Sequence, residues 1–313
     1  MPAPITSSPG CTLVVVPPSR PRWRQRSRAV RLWRLASTAR PRTFSEKVRY
    51  KMLRDHRDIL VTFADKWAVR AYVESVVGPG HLPALVGVAD DPAALRTMSL
   101  PESFVVKPTH GSGAVIVVSP MAAPEERLPP AQHSWVYRHV RPAAADRDEL
   151  AAIAAPWLGQ LYGQGPNREW VYGRIPPRVL VEERLLGAAG SLPEDYKFFV
   201  FHGRCHFVQV DGGRFGDRTQ DFFQRSWEHM PFSGGPPWAH PPIPRPDRLD
   251  EMIDLAERLS ADTDFVRVDL YLLPDRIVVG ELTNYPAGGD SPFHPRSFDE
   301  VFGRSWTVPR RYR

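Results

Sequence analysis

"FVRVDLYLLPDRIVVGELTN", Phe265 to Asn284, consists of two runs of alternating apolar and polar residues around the turn Pro274-Asp275-Arg276. A period of two predicts strands over 264–272 and 276–283, joined as a hairpin. With the hairpin centred on Asp275, Asp269 stands opposite Glu281 and Arg267 opposite Thr283. Side chains alternate along a strand, so these four project from one face, while Val268, Leu270, Gly280 and Leu282 point to the core. A slip of one residue would separate the two carboxylates. Opposed carboxylates repel each other unless a cation lies between them. Either a divalent ion or an ion pair with Arg267 alone would meet that need. The polar, Gly-rich continuation "ELTNYPAGG" favours the metal.

A second stretch, "FVVKPTHGSG" (Phe104 to Gly113), ends an apolar run in a lysine and a proline, then a loop with two glycines and a serine. By itself this is a strand and a turn, and a phosphate cradle is the sharper alternative. Lysine usage bears on the choice. The chain has five lysines (Lys47, Lys51, Lys66, Lys107 and Lys197), and its other 36 basic residues are arginine. Where arginine supplies the general surface charge, a retained lysine suggests a place that needs a compact ammonium.

The chain has 313 residues, 42% of them hydrophobic and 24% charged, ordinary values for a globular protein of two or three subdomains. The 34 prolines are scattered. No apolar run is long enough to cross a membrane. Leu13 to Val16 has its positive charge after it, the wrong order for a secretory signal. Cys11 and Cys205 form no metal or redox spacing, so a reducing cytoplasm is expected. The net charge of +6 is local: residues 1–45 hold nine arginines and no acid, and removing those nine from 41 leaves 32 basic against 35 acidic residues, a net of −3. Binding of nucleic acid by the body is therefore not expected. The segment 1–42 reads as a disordered basic tail. Trp23 and Trp33 among its arginines make contact with an anionic membrane surface the alternative.

Helices are expected from Thr43, whose capping box closes on Glu46, between Asp65 and Gly78, over 91–98, near 146–161, and in "PDRLDEMIDLAERLSAD". Strands are expected in "LPALVGV" and over 103–107, 113–118, 178–185, 196–201 and 204–211. The Pro- and Ala-rich stretch to about 145 and residues 212–245 read as loops. No internal repeat is present. Helices with mostly hairpin-linked strands predict an α+β fold.

"RVD" followed by "GELTNYP" resembles the metal-binding signature of ATP-grasp enzymes, including D-alanine–D-alanine ligases, and Pro286 keeps the expected offset from Thr283. "FVVKP" with "HGSG" is similar to their phosphate-binding strand and loop, and "VLVEERL" to the hinge strand beside adenine. "TFSEKVRYKMLRD", "DKWAVRAYV", "DYKFFVFHG" and "GELTNYPAGG" resemble the TupA-like branch, associated with teichuronopeptide and cell-surface polymer synthesis. The likeness runs from Thr43 to Gly303, and the shared order of the motifs is its most specific part.

The resemblance implies an ATP-grasp fold, with two α+β subdomains gripping ATP. Its divisions fall at 43–100 (N-terminal), 101–181 (small lid), 182–303 (large, with the metal site) and 304–313 (basic C-terminal tail). It implies ATP with Mg2+, or Mn2+ in its place, and a reaction joining a carboxylate to an amine through an acyl phosphate. Lys66 and Lys107 would reach the phosphates under the backbone of Gly111, Ser112 and Gly113, with His110 as a further contact. Glu182 and Glu183 would lie at the adenine hinge, and Glu194 or Asp195 at the ribose. Lys197 would point at the phosphates or the acyl phosphate, and Arg267 would stabilise the transferred phosphoryl group. Asp269 and Glu281 would hold the metal. The family's third ligand, an asparagine two positions after the glutamate, is Thr283 here, with Asn284 one further and turned to the other face. Arg214, Arg218 and Asp221 are candidates for the acceptor site. His202 and His206 in "HGRCH" read as a structural turn. A phosphotransferase, a glycosyltransferase (without a convincing Asp-x-Asp motif) and a non-catalytic nucleotide-binding protein are the rivals. The expected location is the cytoplasm, with the tail able to touch the membrane.

Overall fold

The computed structural model describes residues 39–163, 169–187, 192–213 and 217–312. Most of the basic tail, with Trp23 and Trp33, and the acceptor candidate Arg214 lie outside them. The described chain opens with α1 (Phe44–Arg54), α2 (Asp58–Ala64) and α3 (Ala68–Val77). Thr43 caps α1 as expected: its hydroxyl accepts from the Glu46 N–H, and the Glu46 carboxylate accepts from the Thr43 N–H. Then follow β1 (Leu85–Ala89), a short 3-10 turn at Pro92–Arg96, β2 (Phe104–Pro108), β3 (Val115–Val118), β4 (Tyr137–Val140), α4 (Arg147–Gly159) and β5 (Val179–Glu183). The second half contains β6 (Asp195–Phe201), β7 (Arg204–Gly212), β8 (Thr219–Gln224), α5 (Leu249–Leu259), β9 (Phe265–Leu272), β10 (Ile277–Thr283) and α6 (Ser297–Arg304).

The strands form two five-stranded sheets, ordered β1-β5-β2-β3-β4 and β10-β9-β6-β7-β8. All pairs are antiparallel except β3 with β4. The α+β expectation therefore holds. β4 and β8 correct the reading of two stretches as loops. β8 lies in a Gly-, Pro- and aromatic-rich region, and its partner β7 supplies order that local composition does not. β5 straddles the expected division at 181/182 and pairs wholly within the first sheet, between β1 and β2.

Each sheet presents a polar face to the other and packs helices behind it. Behind the first sheet, Val106, Ile116, Val179 and Val181 meet Leu150, Ile153 and Trp157 of α4. Behind the second, Phe198, Val200, Val266, Val268 and Leu270 meet Leu249, Met252, Ile253 and Ala256 of α5. On β6 the opposite face changes along its length: Asp195 and Lys197 face the polar space, whereas Phe199 and Phe201 enter an aromatic cluster with Phe44, Phe265, Phe302 and Trp306. Phe44, fully buried, lies edge-on to Phe199, Phe201, Phe265 and Phe302. The segment after α6, expected as a basic tail, is held to the body. Trp306 is fully buried, and the Tyr312 hydroxyl and the Trp306 Nε1–H both donate to the Asp264 carboxylate. Two lysines serve this junction: Lys47 donates to the carbonyls of Gly303 and Trp306, and buried Lys51 to Asp55, Thr263 and Asp264.

Candidate active site

In the β9–β10 hairpin, Ile277, Val278 and Val279 pair with Leu272, Tyr271 and Leu270, a register that continued unchanged would set Gly280 against Asp269. A bulge between Val279 and Glu281 shifts it by one, and beyond it Glu281 faces Asp269 and Thr283 faces Arg267. The expected opposition is present, but Gly280 produces it. The extra residue redirects the following side chains, a common device beside functional sites. Gly280 thus lines the polar cleft instead of the core, and Val279 takes the core position.

The Arg267 guanidinium lies between the carboxylates. Its Nε donates to Asp269 Oδ1 and its Nη2 to Asp269 Oδ2, both at 2.7 Å; Nη2 also reaches Glu281 Oε1 and Thr283 Oγ1, each at 3.0 Å. Lys197, opposite Asp269 on β6, donates to Asp269 Oδ2 at 3.0 Å and to Asp195, and stands 3.8 Å from Asp211. Burial pushes the Asp269 carboxyl up to about 6 against the pull of Arg267 and Lys197, so it is still mainly ionised at neutral pH. Burial acts on Glu281 too, but Arg267, Lys66, Lys197 and the Thr283 hydroxyl outweigh it and hold the acid at about 2. Lys197 is itself deeply buried, yet Asp269 and Asp195 raise its pKa above the ordinary lysine value. The site is a dense set of alternating charges.

Across the cleft, β2 carries Lys107, which pairs with Glu182 on β5; Arg70 of α3 pairs with the same carboxylate at 2.8 Å. The loop after β2 is clamped by aromatic residues. Gly111 has a φ of +84°, and a Cβ there would lie 2.7 Å from Tyr162 and 2.8 Å from Trp135. Only glycine fits that conformation and that gap. The Trp135 Nε1–H donates to the Ser112 carbonyl at 2.8 Å, and Lys66, at the α2–α3 junction, donates to the Gly111 carbonyl. Burial lowers the Lys66 pKa to about 8, with Glu281 opposing and Lys107 reinforcing the shift. Glu183 ties the sheets together, accepting from Arg276 of the β9–β10 turn at 2.5 Å and from the Ala84 N–H at 2.7 Å.

The cleft between the sheets has a volume of about 1100 Å3. It is lined by the expected Lys66, Lys107, Gly111, Ser112, Gly113, Glu182, Glu183, Asp195, Lys197, Arg267, Asp269 and Glu281. Thr283 and Asn284 line a smaller neighbouring cavity. Several expectations are corrected. His110 is buried, with Nε2 3.1 Å from the Trp157 and Gln160 carbonyls at the end of α4, and lines neither cavity. Glu194 accepts from the Tyr196 hydroxyl at 2.6 Å; the alternation of β6 puts these two opposite Asp195 and Lys197, leaving Asp195 as the acid in the cleft. The Asn284 amide donates to the Leu60 carbonyl at 2.7 Å, away from the carboxylate pair. Of the acceptor candidates, Asp221 is buried against His229 and the Ala239 N–H, while Arg218 lines the cleft. His202 and His206 flank a strand turn, and His202 accepts from the Thr307 N–H. Sequence reasoning missed Gln209 and Asp211, also in the cleft. Their signal was present as the two polar positions, two apart, in "FVQVDG".

A family profile described as TupA-like ATPgrasp matches residues 46–124 and 164–307. A pirin-like protein of Caulobacter vibrioides is 35% identical over 74 residues, 23% of this chain and 32% of that protein. Among solved structures, the ATP-grasp ligase PsnB in complex with a phosphomimetic variant of a minimal precursor, Mg and ADP is similar at 13% identity and a TM-score of 0.40, over 73% of this chain and 52% of that one. D-alanine–D-alanine ligase of Helicobacter pylori is similar at 13% identity and a TM-score of 0.39, over 79% and 60%. The chain thus spans about a third of the curated relative and between half and two thirds of these two structures. Two sheets facing each other across a charged cleft agree with the ATP-grasp fold, and the family profile covers most of both halves. The chain belongs to the TupA-like ATPgrasp family.

Proposed function

We propose that the protein is an ATP-dependent carboxylate–amine ligase. ATP phosphorylates a carboxylate, and an amine attacks the acyl phosphate to give an amide, ADP and phosphate. One observation carries the reading: a lysine-bearing glycine loop and an opposed carboxylate pair face each other across one cleft. Chemistry of this kind depends mostly on positioning and charge neutralisation, and these residues are suited to both. Lys66 and Lys107 with the backbone of Gly111 to Gly113 hold the phosphates. The end of β5 at Glu182 and Glu183 lies beside the adenine, and Asp195 meets the ribose. Lys197 and Arg267 neutralise charge on the transferred phosphoryl group.

The donor set fits a hard cation. Asp269, Glu281 and Thr283 offer oxygen only, and Mg2+, with Mn2+ as the alternative, commonly takes one or two carboxylates and completes its shell with phosphates and water. Among the described residues no group of three or more His, Cys, Asp or Glu side chains forms a metal cage, which agrees with a site completed by the nucleotide. Asp269 and Glu281 would hold the ion, with Thr283 at its edge and Asn284 outside. When bound, the ion supplies charge neutralisation at the phosphates. Arg267 then no longer has to compensate both carboxylates.

On the family resemblance alone, the substrates are precursors of a cell-surface polysaccharide or peptide polymer, handled in the cytoplasm. Among the described residues no helix is long and apolar enough to cross a membrane. A screen of acid–amine pairs for ATP-dependent ADP release, with product masses recorded, tests the reading. Asp269→Asn and Glu281→Gln should abolish turnover. Undiminished turnover in both, with the true acceptor present, would remove the assignment. A stable phosphorylated hydroxyl as product would indicate a phosphotransferase instead.

A further inference from the structure

The smaller cavity, about 390 Å3, adjoins the cleft and shares Lys66, Gly111, Arg267 and Glu281 with it, so the two spaces meet at the carboxylate hairpin. Its far wall has a different chemistry. There Glu169 stands with Tyr162 and Tyr172, whose rings meet edge-on at 4.8 Å and 86°. Among the described residues the Glu169 carboxylate has no hydrogen-bond or ion-pair partner, and burial alone pushes its pKa up to about 7. Asn284, only 3% exposed, donates to the Leu60 carbonyl through Nδ2, and its Oδ1 receives no donor. Both of these groups accept; the Tyr285 hydroxyl, which also lines the cavity without a partner among the described residues, can accept or donate. The nearby cations are engaged: Lys66 with the Gly111 carbonyl, and Arg267 with Asp269, Glu281 and Thr283. A buried polar group without a partner costs stability, and a ligand bringing hydrogen-bond donors would satisfy Asn284 Oδ1 together with the half-buried Glu169 carboxylate. An unpaired carboxylate beside two aromatic rings favours a cationic donor and repels an anionic one.

We propose that this cavity receives the amine substrate as its ammonium, and that Glu169 binds it and accepts its proton before attack. The inference rests on the ligase reading and adds which space and which residue serve the amine. The step balances. R–NH3+ gives one proton to the Glu169 carboxylate and becomes R–NH2. The nitrogen lone pair forms the C–N bond at the acyl phosphate carbon, and the C–O bond to phosphorus breaks. Phosphate leaves with that electron pair and takes up the second amine proton. The shared wall at Glu281 puts the cavity mouth beside the place where the phosphoryl group would be transferred.

The test uses the full chain with n-butylammonium chloride and uncharged n-butanol as probes, followed by saturation-transfer NMR in the presence of a non-hydrolysable ATP analogue. The wild type should bind the ammonium and not the alcohol. Glu169→Gln should weaken ammonium binding by roughly tenfold or more, the size of one lost charge-assisted hydrogen bond, and Glu169→Asp should restore part of it. Because the carboxylate has no partner among the described residues, Glu169→Gln should melt at a temperature no lower than the wild type, so a folding defect is not the expected cause of the loss. Equal binding of the two probes by the wild type, or unchanged ammonium binding in Glu169→Gln, overturns the inference. Titration of the nucleotide separates the two proposals. ATP bound without any preference for the ammonium defeats only this inference, whereas no ATP binding by the wild type defeats the ligase reading beneath it.

Discussion

Replacing Arg267 by methionine removes the positive charge between Asp269 and Glu281 while keeping most of the side-chain volume. Four hydrogen bonds go with it, two to Asp269 and one each to Glu281 and Thr283. Breaking a buried pair by removing one partner costs about 3–5 kcal/mol. Two features place this case near the lower end. Lys197 still holds Asp269 at 3.0 Å, and the Glu281 side chain, 38% exposed, is screened by solvent. The expected loss is therefore about 3 kcal/mol. If the pair also serves as a divalent-ion site, the variant should respond to metal more than the wild type does, because Arg267 no longer competes for the carboxylates. Saturation at about one hundred times the dissociation constant returns about 2.7 kcal/mol. Urea unfolding followed by tryptophan fluorescence, with EDTA and then with MgCl2 at matched ionic strength, reads both quantities. A loss of under about 1 kcal/mol in EDTA, the size of an exposed pair, would refute the buried-network argument. Equal gains from Mg2+ in variant and wild type would refute the competition between Arg267 and the ion.

Lys107→Ala should weaken ATP binding by roughly tenfold or more in a calorimetric titration, since it deletes a charge-assisted contact and leaves Glu182 to Arg70; an unchanged dissociation constant would take Lys107 out of the site. Gly111→Ala forces a side chain into a left-handed conformation and against Tyr162 and Trp135, so a loss of about 1–3 kcal/mol with weakened nucleotide binding is expected; a thermal melt equal to the wild type would show that the loop is not clamped. Lys66, at about 8, gives a pH signature. Phosphates favour the ammonium, so nucleotide binding should take up a proton, and affinity should fall as pH rises above about 8; Lys66→Arg should flatten that profile, measured by titration in buffers of different ionisation enthalpy. The sign for stability is opposite. Between the folded value near 8 and the unfolded lysine value, the unfolded chain binds more protons, so the ligand-free fold should gain stability as pH rises through that window, and a fall would contradict the buried Lys66.

What could be read from the sequence is what local periodicity and residue chemistry dictate. The capping box at Thr43 and Glu46, the α5 helix and the existence of the hairpin at 264–283 follow from spacings within one element or across one turn. The scarcity of lysine singled out five positions alike; Lys66, Lys107 and Lys197 line the cleft, whereas Lys47 and Lys51 tie down the C-terminal segment, a division that the count by itself did not make. Other features depend on contacts between distant parts of the chain, which no local pattern encodes. The Gly280 bulge sets the carboxylate register because the turn fixes one pairing and the packing of Val279 against the core requires another. His110 is drawn from the glycine loop to the α4 carbonyls, and Glu194 to Tyr196, by partners brought near only by folding. β8 orders a Gly- and Pro-rich stretch because β7 offers it a free edge. The wall joins Glu169 and Tyr172 to Asn284, more than a hundred positions away, so only the packed tertiary structure could bring that carboxylate beside the hairpin that the sequence had already picked out.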